Sequence, residues 1–165
     1  MKLDLNRLLE LPGEADVVTA DVDLTSVRHA GRPLFTAPVT VTAKAQNRAG
    51  VVTLDCTYRF TLSVLCDRCL APLELPTTRT VSHTVVRAVS GEDDETFLVA
   101  EDGIVELDTL ATNDLLPELP QRFLCAEDCK GLCPTCGRNL NEGDCGCRKT
   151  AGDPRMEALR RLLEN

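Results

Sequence analysis

Three stretches of the chain alternate apolar and polar residues strictly. The first is Val18, Ala20, Val22 and Leu24, with Asp21 and Asp23 between them. The second is Val39, Val41, Ala43 and Ala45, interleaved with Thr40, Thr42, Lys44 and Gln46. The third and longest is Val52, Leu54, Cys56, Tyr58, Phe60, Leu62 and Val64, with Thr53, Asp55, Thr57, Arg59, Thr61 and Ser63 opposite. A period of two marks antiparallel strands with one face buried and one wet. Gln46-Asn47-Arg48-Ala49-Gly50 lies between the last two and predicts a hairpin turn. The β-branched run over 80–89 predicts a further strand, and Phe97–Ala100 a short one.

Helical periodicity is rarer. Asp4–Leu11 reads as a short helix or an edge strand. Asp108–Leu116 reads as a helix with Asp108 near its start, halted by Pro117 and Pro120. The clearest helix is the last segment: Asp153 caps it, Pro154 suits its first position, and Met156, Leu159, Leu162 and Leu163 form one apolar stripe. Such a stripe serves to dock on the domain or to bind a partner, and docking is the simpler use. The sum is an α+β chain: an antiparallel β-rich domain over 1–107, then over 108–165 a helix, a Cys-rich zinc knob and a C-terminal helix.

Composition narrows the class. Of 165 residues, 43% are hydrophobic and 27% charged, the balance of a soluble globular chain. No run of about 18 apolar residues predicts a transmembrane helix. The charged N-terminal segment lacks the apolar stretch of a signal peptide, which points to the cytoplasm and away from any membrane. The net charge of −8 disfavours a protein that coats nucleic acid with its whole surface. That charge is concentrated: residues 91–120 hold ten Asp/Glu and no Lys or Arg, while the flanking parts are nearly balanced. This stretch is either a solvated loop and helix face or a patch for a basic partner.

The nine cysteines are concentrated too. An odd count in a reducing compartment argues against a disulfide scaffold and for metal ligands. Cys133-Pro134-Thr135-Cys136-Gly137 has the form of a zinc knuckle, and Cys145-Gly146-Cys147 offers a second pair of thiolates. Cys66 and Cys69, with Cys125 and Cys129, make a second candidate site that closes a long loop. A rival grouping joins Cys66 and Cys69 to Cys133 and Cys136 around one ion. Cys56 lies on the apolar face of its strand and reads as core. Iron in place of zinc stays open at this level. So does thiol redox chemistry or metal carriage by the CxxC pairs, although Cys66 follows a strand and Pro72 soon follows Cys69, unlike a thioredoxin setting.

Catalytic signatures are missing from the sequence. His29 reads as a loop residue and His83 as a strand residue, both remote from the cysteines and without a triad pattern. No phosphate-binding glycine motif occurs. The chain therefore reads as a non-enzyme with no catalytic residues and no small-molecule substrate.

The CDRCL segment, then CAEDCKGLCPTCGRNLNEGDCGC, then DPRMEALRRLL resemble the bacterial YceD family. Its members are described as large-ribosomal-RNA-subunit accumulation proteins. The resemblance implies a role in accumulation or processing of 23S-type ribosomal RNA and in large-subunit assembly. It carries the cysteine motif onto Cys66, Cys69, Cys125, Cys129, Cys133, Cys136, Cys145 and Cys147, sufficient for two zinc ions. The partner is then a ribosomal RNA precursor or a large-subunit ribosomal protein. Because phosphate contact draws on Lys and Arg, the candidate RNA contacts are Arg68, Lys130, Arg138, Arg148 and Lys149.

Overall fold

The computed structural model describes residues 1–88 and 97–147. The expected C-terminal helix from Asp153, with Arg148, Lys149 and the end of the 80–89 run, lies outside them.

Among the described residues the central sheet has five strands. They are β2 (Ala15–Val22), β5 (Val39–Arg48), β6 (Val51–Leu65), β7 (Pro72–Val86) and β8 (Phe97–Val99), hydrogen-bonded in that order. Strands β1 (Lys2–Asp4) and β9 (Ile104–Glu106) pair separately, as do the two-residue strands β3 (Arg28–His29) and β4 (Arg32–Pro33). All pairings are antiparallel except β7 with β8, which is parallel. Helix α1 (Asn6–Glu10) follows β1, and α2 (Leu107–Leu115) follows β9 directly. Helix and strand thus share the Asp4–Leu11 region, and the fold is α+β.

The period-two pattern decides which face is buried. On β6 every alternate residue from Val52 to Val64 is buried, and Leu54, Cys56 and Tyr58 are fully enclosed. Val39, Val41, Ala43 and Ala45 of β5 lie beside them. Leu8 of α1 and Leu107, Leu110, Ala111 and Leu115 of α2 close the same core. The opposite face is rich in hydroxyls that pair across strands, such as Thr57 with Thr80 at 3.2 Å and Ser63 with Glu74 at 2.7 Å.

The β5–β6 turn is tighter than the five-residue segment predicts. Ala49 and Gly50 alone form it, at φ 53° and 89°, the two positive values of a type I′ hairpin. Asn47 is buried beneath it, donating from Nδ2 to the Leu8 carbonyl at 2.5 Å and accepting from Gly50 N–H at 2.9 Å. Strand β7 begins eight residues before the predicted run, through Pro72 and Pro76. Both prolines are tolerated because this part of β7 lies on a sheet edge.

Candidate metal centres

The turn that joins β6 to β7 is the first CxxC. Cys66 donates its N–H to the Ala71 carbonyl at 2.8 Å, and Leu70 N–H returns to the Cys66 carbonyl at 2.9 Å. The second CxxC repeats this pattern: Cys133 N–H to Arg138 carbonyl at 2.8 Å, and Gly137 N–H to Cys133 carbonyl at 2.8 Å. Both are therefore the same knuckle. Gly137 occupies its left-handed position at φ 73°, and in the first knuckle Leu70 holds that position at φ 58°. A side chain there is strained, and Leu70 is also largely exposed.

The long-range half of the first site is brought in by backbone. Asp67 N–H donates to the Phe123 carbonyl at 2.8 Å, and Phe123 N–H donates to the Asp67 carboxylate at 2.7 Å. Phe123 is buried and meets the His29 ring edge-on at 5.3 Å. Two residues later Cys125 reaches the knuckle. The Arg68 guanidinium then donates to the carbonyl of Cys129 at 2.9 Å and more weakly to that of Glu127. Gly131 passes so close that a Cβ there would lie 3.1 Å from the Arg68 carbonyl oxygen.

The result is two separate groups of four sulfurs, Cys66/Cys69/Cys125/Cys129 and Cys133/Cys136/Cys145/Cys147, each with all Sγ atoms within 4.8 Å of one another. The rival grouping of Cys66 and Cys69 with Cys133 and Cys136 is not formed. Cys66 Sγ lies 3.7 Å from Cys129 Sγ, and Cys69 Sγ 3.6 Å from Cys125 Sγ. A tetrahedron with Zn–S bonds of about 2.3 Å has edges of about 3.8 Å, so this set fits such an ion. The same distances far exceed the roughly 2.05 Å of a disulfide. Either group could hold a metal ion. Cys56 stands apart, buried in the core as expected.

Crowding four thiols divides their acidities. Burial opposes charge on Cys66, but the backbone N–H groups of Cys69, Cys125 and Arg68 outweigh it and hold the thiol down at about 6. Cys125 goes the other way, to about 12, because its thiol donates to Cys129 and Cys69. In the second group the N–H groups of Cys136 and Thr135 hold Cys133 at about 6. Hydrogen bonds to Cys136 and Cys145 push Cys147 to about 12. A divalent cation among the sulfurs removes this conflict by favouring thiolate at all four.

One supporting residue is part of the resembling segment but is not one of its cysteines. Asn141 lies between the two cysteine pairs of the second group, in a 3-10 turn over Leu140–Glu142. Its Nδ2 nevertheless donates to Cys129 Sγ of the first group at 3.2 Å, lowering that thiol's pKa, and its Oδ1 accepts from Lys130 N–H at 2.8 Å. Its sequence signal is the Asn139-Leu140-Asn141 of the resembling segment, which marks the residue but not its bond to the other cysteine group.

A family model described as "Large ribosomal RNA subunit accumulation protein YceD" matches residues 54–163, which include both cysteine groups. The chain belongs to the YceD family. It is also similar to a protein of Bacillus subtilis (strain 168) described as "Uncharacterized protein YlbN", with 25% identity covering 99% of this chain and 97% of that one. No solved structure matches the chain significantly.

The remaining site residues of this YceD-family chain divide. Lys130 and Arg138 are exposed on the knob, while Arg68, exposed as well, spends donors on the first site. His29 lies in the short strand β3. His83 is on β7 as expected, but it is not isolated. Its Nε2 lies 2.9 Å from Asp114 Oδ2, which also accepts from the Tyr58 hydroxyl at 2.5 Å. The sequence hides this trio because its members come from β6, β7 and α2. Ser82, beside His83, faces the other side of the sheet and donates to Asp55. Among the described residues no helix is long and apolar enough to cross a membrane.

Proposed function

We propose that this chain is a non-enzymatic cytoplasmic factor for accumulation and processing of 23S-type ribosomal RNA during large-subunit assembly, held in shape by two zinc ions. The observation that carries the reading is the pair of four-thiolate groups in a chain of this family. Four protein donors close a zinc coordination sphere, which suits a structural ion; a catalytic zinc keeps a position for water or substrate. The first group ties the end of the β6–β7 hairpin to the segment after α2, and the second organises the knob. Lys130 and Arg138, with Arg148 and Lys149, then supply a local cationic contact for RNA phosphates, and Arg68 acts mainly by fixing the first site.

Affinity purification of the tagged full chain, with sequencing of bound RNA, tests the role. Enrichment of large-subunit precursor RNA is expected; its absence refutes the reading. Native mass spectrometry of the same sample should show two zinc ions that leave on chelation. A metal-free protein with a readily cycling Cys66–Cys69 disulfide would replace this function by thiol redox chemistry.

A further inference from the structure

Strand β7 has a second edge. It pairs residue for residue with β6 from Val52↔Val85 to Leu65↔Pro72, without a bulge. On its other side β8 covers only Thr84–Val86. Among the described residues nothing pairs with 72–83 on that side.

Alternate residues of a strand aim their N–H and C=O groups to the same side. Ala100 N–H donates to the Val86 carbonyl at 2.8 Å, beside β8. Even-numbered residues of β7 therefore face the open edge. Two of them, Pro72 and Pro76, have no N–H to offer, a common protection against unwanted strand pairing. Thr78, Thr80 and Ser82 lack this protection and present a row of donors and acceptors.

A cleft of about 460 Å³ lies in front of that row. The consecutive residues Arg79, Thr80, Val81 and Ser82 all line it, so it opens on the strand's edge and not on one face. Asp114 and Glu118, from α2 and the turn after it, line the other wall. A strand edge facing a helix is the arrangement by which domains capture an extended peptide as an added strand. The charge of the wall selects its occupant. Arg79 is the one cation of the lining, set against the two carboxylates of Asp114 and Glu118, so the cleft is acidic on balance, and no Lys or Arg occurs between 88 and 121. The Asp114 side chain is only 6% exposed, and both Tyr58 and His83 bond its Oδ2, leaving Oδ1 without a donor among the described residues.

We propose that this groove binds an extended, Lys/Arg-rich protein segment as an added strand along Thr78–Ser82, with a cationic side chain against Asp114 and Glu118. The groove stands on its own geometry; only the origin of the segment, a basic protein of the large subunit, rests on the function proposed above.

The test uses the purified full chain and a fluorescein-labelled decapeptide of alternating Lys and Val, followed by anisotropy. Binding is expected, and Glu in place of Lys should abolish it. N-methylating alternate amides of the peptide, in the phase that faces β7, should weaken binding about tenfold or more by removing backbone donors. Ser82→Pro should do the same from the protein side, and Glu118→Lys should weaken binding and flatten its salt dependence. No binding to the Lys peptide, equal binding of the methylated peptide, or equal binding of the Glu peptide overturns the proposal. If Ser82→Pro fails to fold, the methylated peptide still decides. Copurification of precursor RNA is a separate readout: its loss with peptide binding intact refutes the proposed function and leaves the groove standing.

Discussion

Replacing Cys125 by Ser should destabilise the sheet far more than replacing Cys147, although each removes one thiolate from a four-thiolate set. Cys125 is exposed and Cys147 half-exposed, so little packing is lost in either variant. What differs is the loop that an ion at each site would close. The first site joins Cys69 to Cys125 and closes 57 residues, which contain β7, β8, β9 and α2. By the chain-entropy relation, a crosslink of that length constrains the unfolded chain by about 4 kcal/mol. The second site joins Cys136 to Cys145 and closes ten residues, which gives about 3 kcal/mol, all of it within the knob. Tyr58 is the sole tyrosine, there is no tryptophan, and Tyr58 is fully buried in the sheet core. Its fluorescence therefore reports sheet unfolding alone. In urea with excess zinc, and a slope of about 2 kcal/mol/M, Cys125→Ser should lower the Tyr58 midpoint by about 2 M. Cys147→Ser should shift it by less than about 0.3 M. In chelator all three proteins should unfold at one midpoint. Equal shifts for the two variants, or no shift for Cys125→Ser, would refute the loop-closure argument.

Other outcomes follow from single contacts. Asn141→Ala, although it lies between the cysteines of the second site, should weaken zinc binding at the first by about tenfold or more, measured by competition with a chromophoric chelator; weakening at the second site alone would contradict its bond to Cys129. Cys56, pushed up to about 11 chiefly by burial, stays protonated at pH 8, so iodoacetamide should label up to eight cysteines of the folded chelator-treated chain and spare Cys56, as read by peptide mass spectrometry. Ala49→Asn should raise stability by about 0.5–1 kcal/mol in urea unfolding, since Asn-Gly suits a type I′ turn in which Ala49 already holds positive φ; a loss would mean that the turn is held by other contacts.

The sheet was legible wherever one face is buried and the other wet. Val39–Ala45 and Val52–Val64 announce themselves by alternation, because burial of one face imposes that period. The first half of β7 was not legible: its inner face is only half-buried, and its prolines speak for a turn until the open edge is known. Both metal groups could be read as candidates, since short spacing constrains the sulfurs of a CxxC. Which pairs meet depends on Asp67 and Phe123 joining across the fold, and no local spacing encodes that. The knuckle at Leu70 shows the limit from the other side: Gly137 advertises its turn, whereas Leu70 adopts the same conformation with no glycine to mark it. The contact of His83 with Asp114 was hidden for a related reason, being made by two elements remote in sequence, β7 and α2.

The difference in loop length between the two sites also has a consequence in time. The knob's four thiols lie within 15 consecutive residues, and closing so short a loop takes well under a microsecond once its ligands are free. The first site must wait until the β6–β7 hairpin has formed and α2 has delivered Cys125, so its closure is tied to slow non-local pairing. On a growing chain the hairpin emerges first, and Cys66 and Cys69 stand ready while their partners are still being made. A metal ion bound at that site would therefore be captured late and report completion of the fold, whereas one in the knob would bind independently of it.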